Sequence, residues 1–519
     1  MTTAKTRVPR EVKDVPSAYD ELMSRAKEIS LLGSIGSLLQ WDMQTYLPPR
    51  GVALRGEQFA LVGMLTHRLQ TSKEYGDLIK RAESEIRNGS DDVKKRNLYL
   101  LRKSHDEAAC LPEDLVAEIN RQVAIAQDVW RKARNQNDWN TFAPELSKLF
   151  SLVYRRSEML QDVKGVKRPY DSSIDDFEPL MSSTEISRVF SELRSGLIPL
   201  IRKYSQIAAD IDMSKIRRHL TKDRQRAIAE DVVNLMGYDT RSENAGGRID
   251  ETVHPFTTGY YDDVRITLRY TDDDPMGTLL TAMHEAGHAI YELSLAPEWK
   301  YQPVGTAAGM GIHESISRFY ENMIGRSPEF WEHYLPRANE LSGGVFSNIT
   351  PEDVTRCINR VTPSKIRVSA DEVTYSIHVI IRFEIERDLF EGKIQIDELP
   401  QVWNEKYEDY LGVEVRDDKD GVLQDVHWSS GYFGYFPTYA LGNVYAGMWL
   451  KKMRSEIPDC FERISEGDIL YVTRWIGREV LVKSNMWCPA DLVKRVTGED
   501  VSAEPFLSYV RDKYSRIYG

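Results

Sequence analysis

Apolar residues recur at helical spacing through most of this chain. In SAYDELMSRAKEISLLGSIGSLLQWDM (17–43) they mark a single helix, and Pro48-Pro49 stops it. GVALRGEQFALVGMLTHRLQ (51–70) and EDLVAEINRQVAIAQDVWRKARN (113–135) continue the pattern. The acidic segment YDSSIDDFEP (170–179) reads as a loop by composition. Ser182-Ser183-Thr184-Glu185 reads as a helix start, with SRVFSELRSGLIPLIRKYSQIA as the helix that follows.

The period changes near 245–270, where glycine and β-formers gather. Val264 to Tyr270 alternates apolar and polar with period two, which predicts a strand with one buried face. Helical spacing then returns and holds to the end, apart from a charged turn at 414–422. HWSSGYFGYFPTYALGN (427–443) holds too many glycines and aromatics for an amphipathic helix, and reads as a shaped loop entering one. The pattern predicts a mainly α fold with a small β-sheet near the chemistry.

Composition narrows the class. Of 519 residues, 41% are hydrophobic and 29% charged, the balance of a folded, soluble protein. The net charge of −12 disfavours nucleic acid and anionic membrane as partners, because both would be repelled. No apolar run approaches the ~18 residues that a membrane span needs. The first residues, MTTAKTRVPREVKDVPSAYDELM, carry no apolar core of a secretory leader. Cys110, Cys357, Cys460 and Cys488 form no C-x-x-C pair, so they read as reduced thiols in a cytoplasmic protein.

The chemistry points to His284-Glu285-Ala286-Gly287-His288. Asp274 is a natural N-cap, Pro275 suits the first helical position, and Met276, Leu279, Leu280, Met283 and Ile290 keep helical spacing. The H-E-x-x-H motif therefore lies on a helix, where residues i and i+4 share a face and both imidazoles reach one ion. Glu285 stands beside them as general base for water activated at a metal, most simply Zn2+.

A catalytic zinc takes a third protein ligand. The metzincin extension is absent, since its next two positions hold Tyr291 and Ser294. Glu314, 26 positions after His288 on a following helix, is the favoured candidate, with Glu292, Glu321 and His313 as rivals.

Beyond the metal motif, several blocks occur in a fixed order. They are LLQWDMQTYLPPRGVALRGEQFALV (38–62), His254-Pro255-Phe256, Asp263/Arg265/Thr267, His313-Glu314-Ser315, Ile366-Arg367 through Ala370-Asp371, Gly421 through Gln424-Asp425 to His427-Trp428, and Gly434-Tyr435-Phe436-Pro437. In this set the chain resembles the thermostable-carboxypeptidase family of metallocarboxypeptidases, the M32 peptidases, along nearly its whole length. It departs at Ile316, where that family usually has Gln.

The resemblance implies one catalytic unit over 1–519, a large helical body with a deep active-site groove. It implies removal of single residues from the free C-terminus of peptides, Zn2+ or Co2+ as the metal, and a homodimer. It also supports Glu314 as third ligand. A related helical-cleft oligopeptidase or dipeptidyl carboxypeptidase is the alternative.

An enzyme acting at a C-terminus must hold a free carboxylate, which a bidentate arginine does best. Arg367 is the first choice and Arg265 the second. The strand 264–270 is a candidate for binding substrate backbone by strand addition. His427 and Tyr435, with Tyr439 as alternate, are candidates to stabilise the oxyanion. His254 is expected to shape the substrate groove without ligating metal.

Overall fold

The computed structural model describes residues 17–86 and 91–519. Residues 1–16, where the reading of a missing leader begins, lie outside that range. Before the sheet the chain forms α1 (Ala18–Thr45), α2 (Val52–Thr71), α3 (Lys73–Ile86), α4 (Asp92–Cys110), α5 (Glu113–Gln136), α6 (Trp139–Lys164), α7 (Pro169–Asp175), α8 (Ser183–Ala208) and α9 (Lys222–Leu235). After it come α10 (Pro275–Leu293), α11 (Met310–Arg318), α12 (Pro328–Ser342), α13 (Pro351–Ile358), α14 (Glu372–Phe390), α15 (Leu399–Leu411) and α16 (Pro437–Glu456). Helices also fill most of the remaining chain to Tyr518, and none of those described is long and apolar enough to cross a membrane.

Local chemistry accounts for where helices begin. The Ser17 hydroxyl accepts from Asp20 N at 3.1 Å and caps α1. Ser182 and Glu185 form the reciprocal capping box of α8. The Asp274 carboxylate accepts from Gly277 N at 3.0 Å, and Pro275 opens α10.

The segment 170–179 corrects its compositional reading. Pro169–Asp175 is helix α7, and its residues from Tyr170 to Asp175 are buried. Burial is tolerated because many of the polar groups are satisfied inside. Ser157 and Ser173 hydroxyls lie 2.8 Å apart, Asp171 accepts from Ser183 N at 2.7 Å, and the Tyr170 hydroxyl donates to Glu386 at 2.8 Å.

The sheet is β1 (Gly247–Glu251), β2 (Phe256–Tyr260) and β3 (Asp263–Leu268), in the order β1-β3-β2. β1 runs parallel and β2 antiparallel to β3. Val264, Ile266 and Leu268 are fully buried, while Arg269 and Tyr270 lie past the strand end. β3 is the central strand, so both its edges are already paired and it offers none for strand addition. α10 packs across β2 and β3, which sets the sheet against the metal motif.

One large hydrophobic core runs from Ala126 to Tyr514. A second, smaller core joins α1, α3 and α4 through Leu22, Ile79 and Leu98. α1 and α2 expose Leu31, Ile35, Leu38, Leu54, Leu61 and Leu65. The Asp42–Arg55 pair at 2.7 Å ties α1 to α2. α1 meets the sheet through Trp41, whose ring lies 4.8 Å from the Arg248 guanidinium and 4.2 Å from that of Arg265. The Tyr46 hydroxyl adds a 2.6 Å hydrogen bond to Asp250.

Candidate metal centre and active site

Two glycines let the helices of the site meet. A Cβ on Gly287 would lie 2.7 Å from Ser317 Cα, so α10 and α11 cross in backbone contact at the motif itself. A Cβ on Gly442 of α16 would lie 2.6 Å from Glu314 Cγ, which seats Glu314 against that helix. Neither approach tolerates a larger residue without movement.

The crossing brings His284, His288 and Glu314 together, with one ligand atom from each within 4.8 Å of the others. Glu314 Oε2 is 3.4 Å from His288 Nε2 and 3.8 Å from His284 Nε2. Ligands at about 2.0–2.2 Å around a tetrahedral ion stand roughly 3.3–3.6 Å apart; the His288 pair stands at that spacing and the His284 pair just beyond it, so a small closure would fit a single ion. The other oxygen of Glu314 accepts from Arg318 Nε at 2.7 Å, while Oε2, which also accepts from the Ser317 hydroxyl at 3.2 Å, faces the two histidines. Arg318 and the two histidines outweigh burial and hold the Glu314 carboxyl well below the usual glutamate range. Burial pulls His288 down to about 3, which keeps it in the neutral form that metal binding requires. Burial pulls His284 the same way, but Glu314 and Glu321 outweigh it and hold that ring above its ordinary value.

The three rivals for third ligand have other partners. Glu321, on the π-helical turn after α11, takes His284 Nδ1 at 2.9 Å and is paired to Arg318 and Arg326. Glu292 meets His313 Nε2 at 3.0 Å, and His313 Nδ1 meets His288 Nδ1 at 2.6 Å. Ile316, the departure from the family pattern, is fully buried in the core.

Glu285 is 6% exposed, and burial raises its carboxyl above the ordinary value. Thr257 on β2 donates its hydroxyl to Glu285 Oε2 at 2.6 Å, fixing the carboxylate. Sequence reasoning missed Thr257, although it lies next to the His254-Pro255-Phe256 block. His254 itself is exposed in the connection leading into β2.

Arg367 is 5% exposed. Its Nε and Nη2 donate to Asp425 Oδ1 at 3.0 and 2.8 Å, and its Nη1 donates to the Tyr375 hydroxyl at 3.2 Å. Asp425 also accepts from Arg382 Nε at 2.6 Å. Arg367 stacks on Tyr439 at 4.9 Å, and Tyr375 lies under Arg318 at 4.0 Å, so these aromatics link the guanidinium to Arg318 and through it to Glu314. His427 Nε2 pairs with the Tyr439 hydroxyl at 3.2 Å, and the Tyr435 and Tyr439 rings are 5.3 Å apart. Among the described residues His427 Nδ1 has no hydrogen-bond partner. Burial lowers His427 to about 3 and raises Tyr435 to about 12, so both are neutral near pH 7.

Arg265 is engaged by its own strand and by α1. Its guanidinium donates to both oxygens of Asp263 at 2.7 and 2.8 Å and packs on Trp41, bracing α1 against the sheet. Residues two apart on a strand share a face, so Asp263 and Arg265 were bound to meet. Two cavities, of about 280 and 340 Å³, lie around Arg454, Tyr509 and Asp512 and share no lining residue with the metal ligands.

Residues 21–514 match the family described as carboxypeptidase Taq (M32) metallopeptidase. The chain is 36% identical to thermostable carboxypeptidase 1 of Thermus thermophilus, over 97% of this chain and 99% of that protein. It is 35% identical to carboxypeptidase 1 of Bacillus subtilis, over 96% and 98%. Its fold is similar to the crystal structure of M32 carboxypeptidase from Deinococcus radiodurans R1, with a TM-score of 0.92 and 33% identity over 97% of this chain and all of that one. Metallocarboxypeptidase 1 of Trypanosoma cruzi gives a TM-score of 0.91 and 32% identity over 96% and 99%.

Proposed function

The chain belongs to the M32 metallopeptidases, and on that premise we propose that its carboxypeptidase reaction takes place at the centre formed by His284, His288 and Glu314, with Glu285 as general base. It is a metallocarboxypeptidase, a hydrolase acting on the free C-terminus of peptides. One observation carries the assignment of roles. Three ligand atoms converge within 4.8 Å, and the next residue along, Glu285, is a buried carboxylate anchored by Thr257.

Zinc is the ion we assign, with cobalt as the substitute. Either supplies a Lewis acid that polarises the scissile carbonyl and eases deprotonation of water. Glu285 takes the proton of the attacking water on Oε1, since Oε2 is engaged by Thr257, and passes it to the leaving amine. Tyr435 and His427 stand as neutral donors for the carbonyl oxygen as it gains charge. Arg367, preorganised by Asp425 and flanked by Tyr375 and Tyr439, binds the substrate carboxylate. His254 borders the approach along β2.

We assign the chain to one catalytic unit, a homodimer, working in the cytoplasm. The apolar side chains exposed on α1 and α2 support assembly, and four unpaired cysteines suit a reducing compartment. Release of amino acids one at a time from a peptide C-terminus tests the activity. Reloading stripped protein with zinc or cobalt and counting ions bound tests the metal, and the particle mass in solution tests the dimer.

A further inference from the structure

On its Nδ1 side His288 does not meet a carboxylate directly, as His284 does through Glu321. Its Nδ1 lies 2.6 Å from His313 Nδ1, and His313 Nε2 lies 3.0 Å from Glu292 Oε1. The two imidazoles are within 21° of coplanar with centroids 4.6 Å apart. The nitrogens are thus 2.0 Å closer than the ring centres (4.6 − 2.6), so the rings meet edge to edge, as an N–H···N bond requires. Glu292 is four residues after His288 on α10, and the two share a face. His313 reaches across from α11 and bridges that turn of helix. Tyr291 flanks the His313 ring at 4.8 Å.

Donor and acceptor accounting gives the chain a direction. An ionised carboxylate only accepts, so His313 donates Nε2–H to Glu292. A ring that gives its proton at Nε2 offers a lone pair at Nδ1, so His288 donates its Nδ1–H to it. That leaves the His288 Nε2 lone pair on the side of Glu314, from which it lies 3.4 Å. We propose that Glu292 and His313 form a two-step hydrogen-bonded relay that fixes His288 in its metal-binding tautomer and orientation, the counterpart of the direct Glu321–His284 pair. Both residues are positioning residues, and the proposal rests on the reading of His288 as a ligand. The relay also gives His313, beside the ligand Glu314, a task other than ligation. The two arms differ because Glu321 reaches His284 Nδ1 directly, whereas His288 Nδ1 reaches a carboxylate only through a second ring.

Zinc affinity of the stripped, full-length protein, measured by chelator competition without substrate, tests this. His288→Ala is expected to abolish tight binding. His313→Ala should weaken it about 10–100-fold, the range for removal of a ligand's hydrogen-bond partner. His313→Asn keeps an acceptor near the Nδ1 position and should recover binding to within about threefold of the parent. Glu292→Ala should weaken binding alone but add nothing to His313→Ala, because the two act in series. Adding Glu321→Ala to His313→Ala should multiply the losses, since it acts on the other histidine. Unchanged affinity in His313→Ala, no recovery in His313→Asn, or a full additional loss from Glu292→Ala in the double variant overturns the relay and leaves the ligand set standing. Unchanged affinity in His288→Ala overturns the ligand reading and the relay with it.

Discussion

Gly287 and Ser317 touch backbone to backbone: a Cβ added to Gly287 would stand 2.7 Å from Ser317 Cα. This contact sets the distance between the helix that carries the two histidines and the helix that carries Glu314. The glycine inside H-E-x-x-H is therefore part of what brings His284 and His288 up to Glu314. Gly287→Ala is expected to push α10 and α11 apart, with an overpacking penalty of about 1–3 kcal/mol. Zinc affinity should fall along with the melting temperature. Loss of stability with metal affinity intact would contradict this account of the crossing.

Among the described residues Glu285 makes no hydrogen bond or ion pair with His284, His288 or Glu314, and it is held by Thr257. Glu285→Gln should leave metal content unchanged and lower kcat by about 10²–10⁴-fold, the range for a positioned general base. Thr257→Val, which only frees the carboxylate, should have a smaller effect in the same direction. Metal analysis beside steady-state kinetics reads both. Turnover near the parent level in Glu285→Gln would remove it from the mechanism.

Arg367 shares Asp425 with Arg382, so its removal leaves the aspartate paired. Arg367→Ala should weaken a competitive inhibitor bearing a free carboxylate by about 10–100-fold, matching ~1.5–3 kcal/mol for hydrogen bonds to a charged group. The amide of that inhibitor should bind poorly to parent and variant alike. Equal losses for acid and amide would reassign Arg367 to structure.

Glu386 lies at the foot of the His427–Tyr435 loop and accepts from Trp428 Nε1, Tyr170 and Gly434 N, each at 2.8 Å. Burial pushes its carboxyl up to about 7, from an ordinary 4.5. The folded protein therefore keeps a proton that the unfolded chain releases. The stability gained is complete below the ordinary value and is lost as the pH rises through about 7. At about 1.4 kcal/mol per unit, up to about 3 kcal/mol separates pH 4 from pH 8. Glu386→Gln should remove that part of the slope when melting is followed between these pH values. Glu178, also pushed to about 7 by burial, keeps its own share. An unchanged slope would show that Glu386 is ionised throughout.

The parts of this protein that were legible in its sequence are those fixed over a few residues. The Asp274–Pro275 start of α10, the pairing of His284 with His288 four positions on, and the alternation of β3 all follow from local periodicity. Glu314 was reachable because a second helix of the right spacing follows. Thr257, Asp425 and Glu386 act across many residues of separation, and no local period marks them. The segment 170–179 misled because polar composition signals exposure only when its hydrogen bonds are not met inside the fold. The pairing of Arg265 with Asp263, two positions away on the same strand face, was legible in the spacing. Glu292, Glu321 and His313 have the chemistry of ligands, and only the three-dimensional arrangement shows them paired instead with His313, His284 and His288.

The most direct test uses one mixed-sequence peptide, as free acid and as C-terminal amide, incubated with metal-loaded protein and followed by mass spectrometry. The account predicts stepwise loss of single C-terminal residues from the acid, with the amide left intact. Internal cuts, release of dipeptides, or equal trimming of both forms would contradict it.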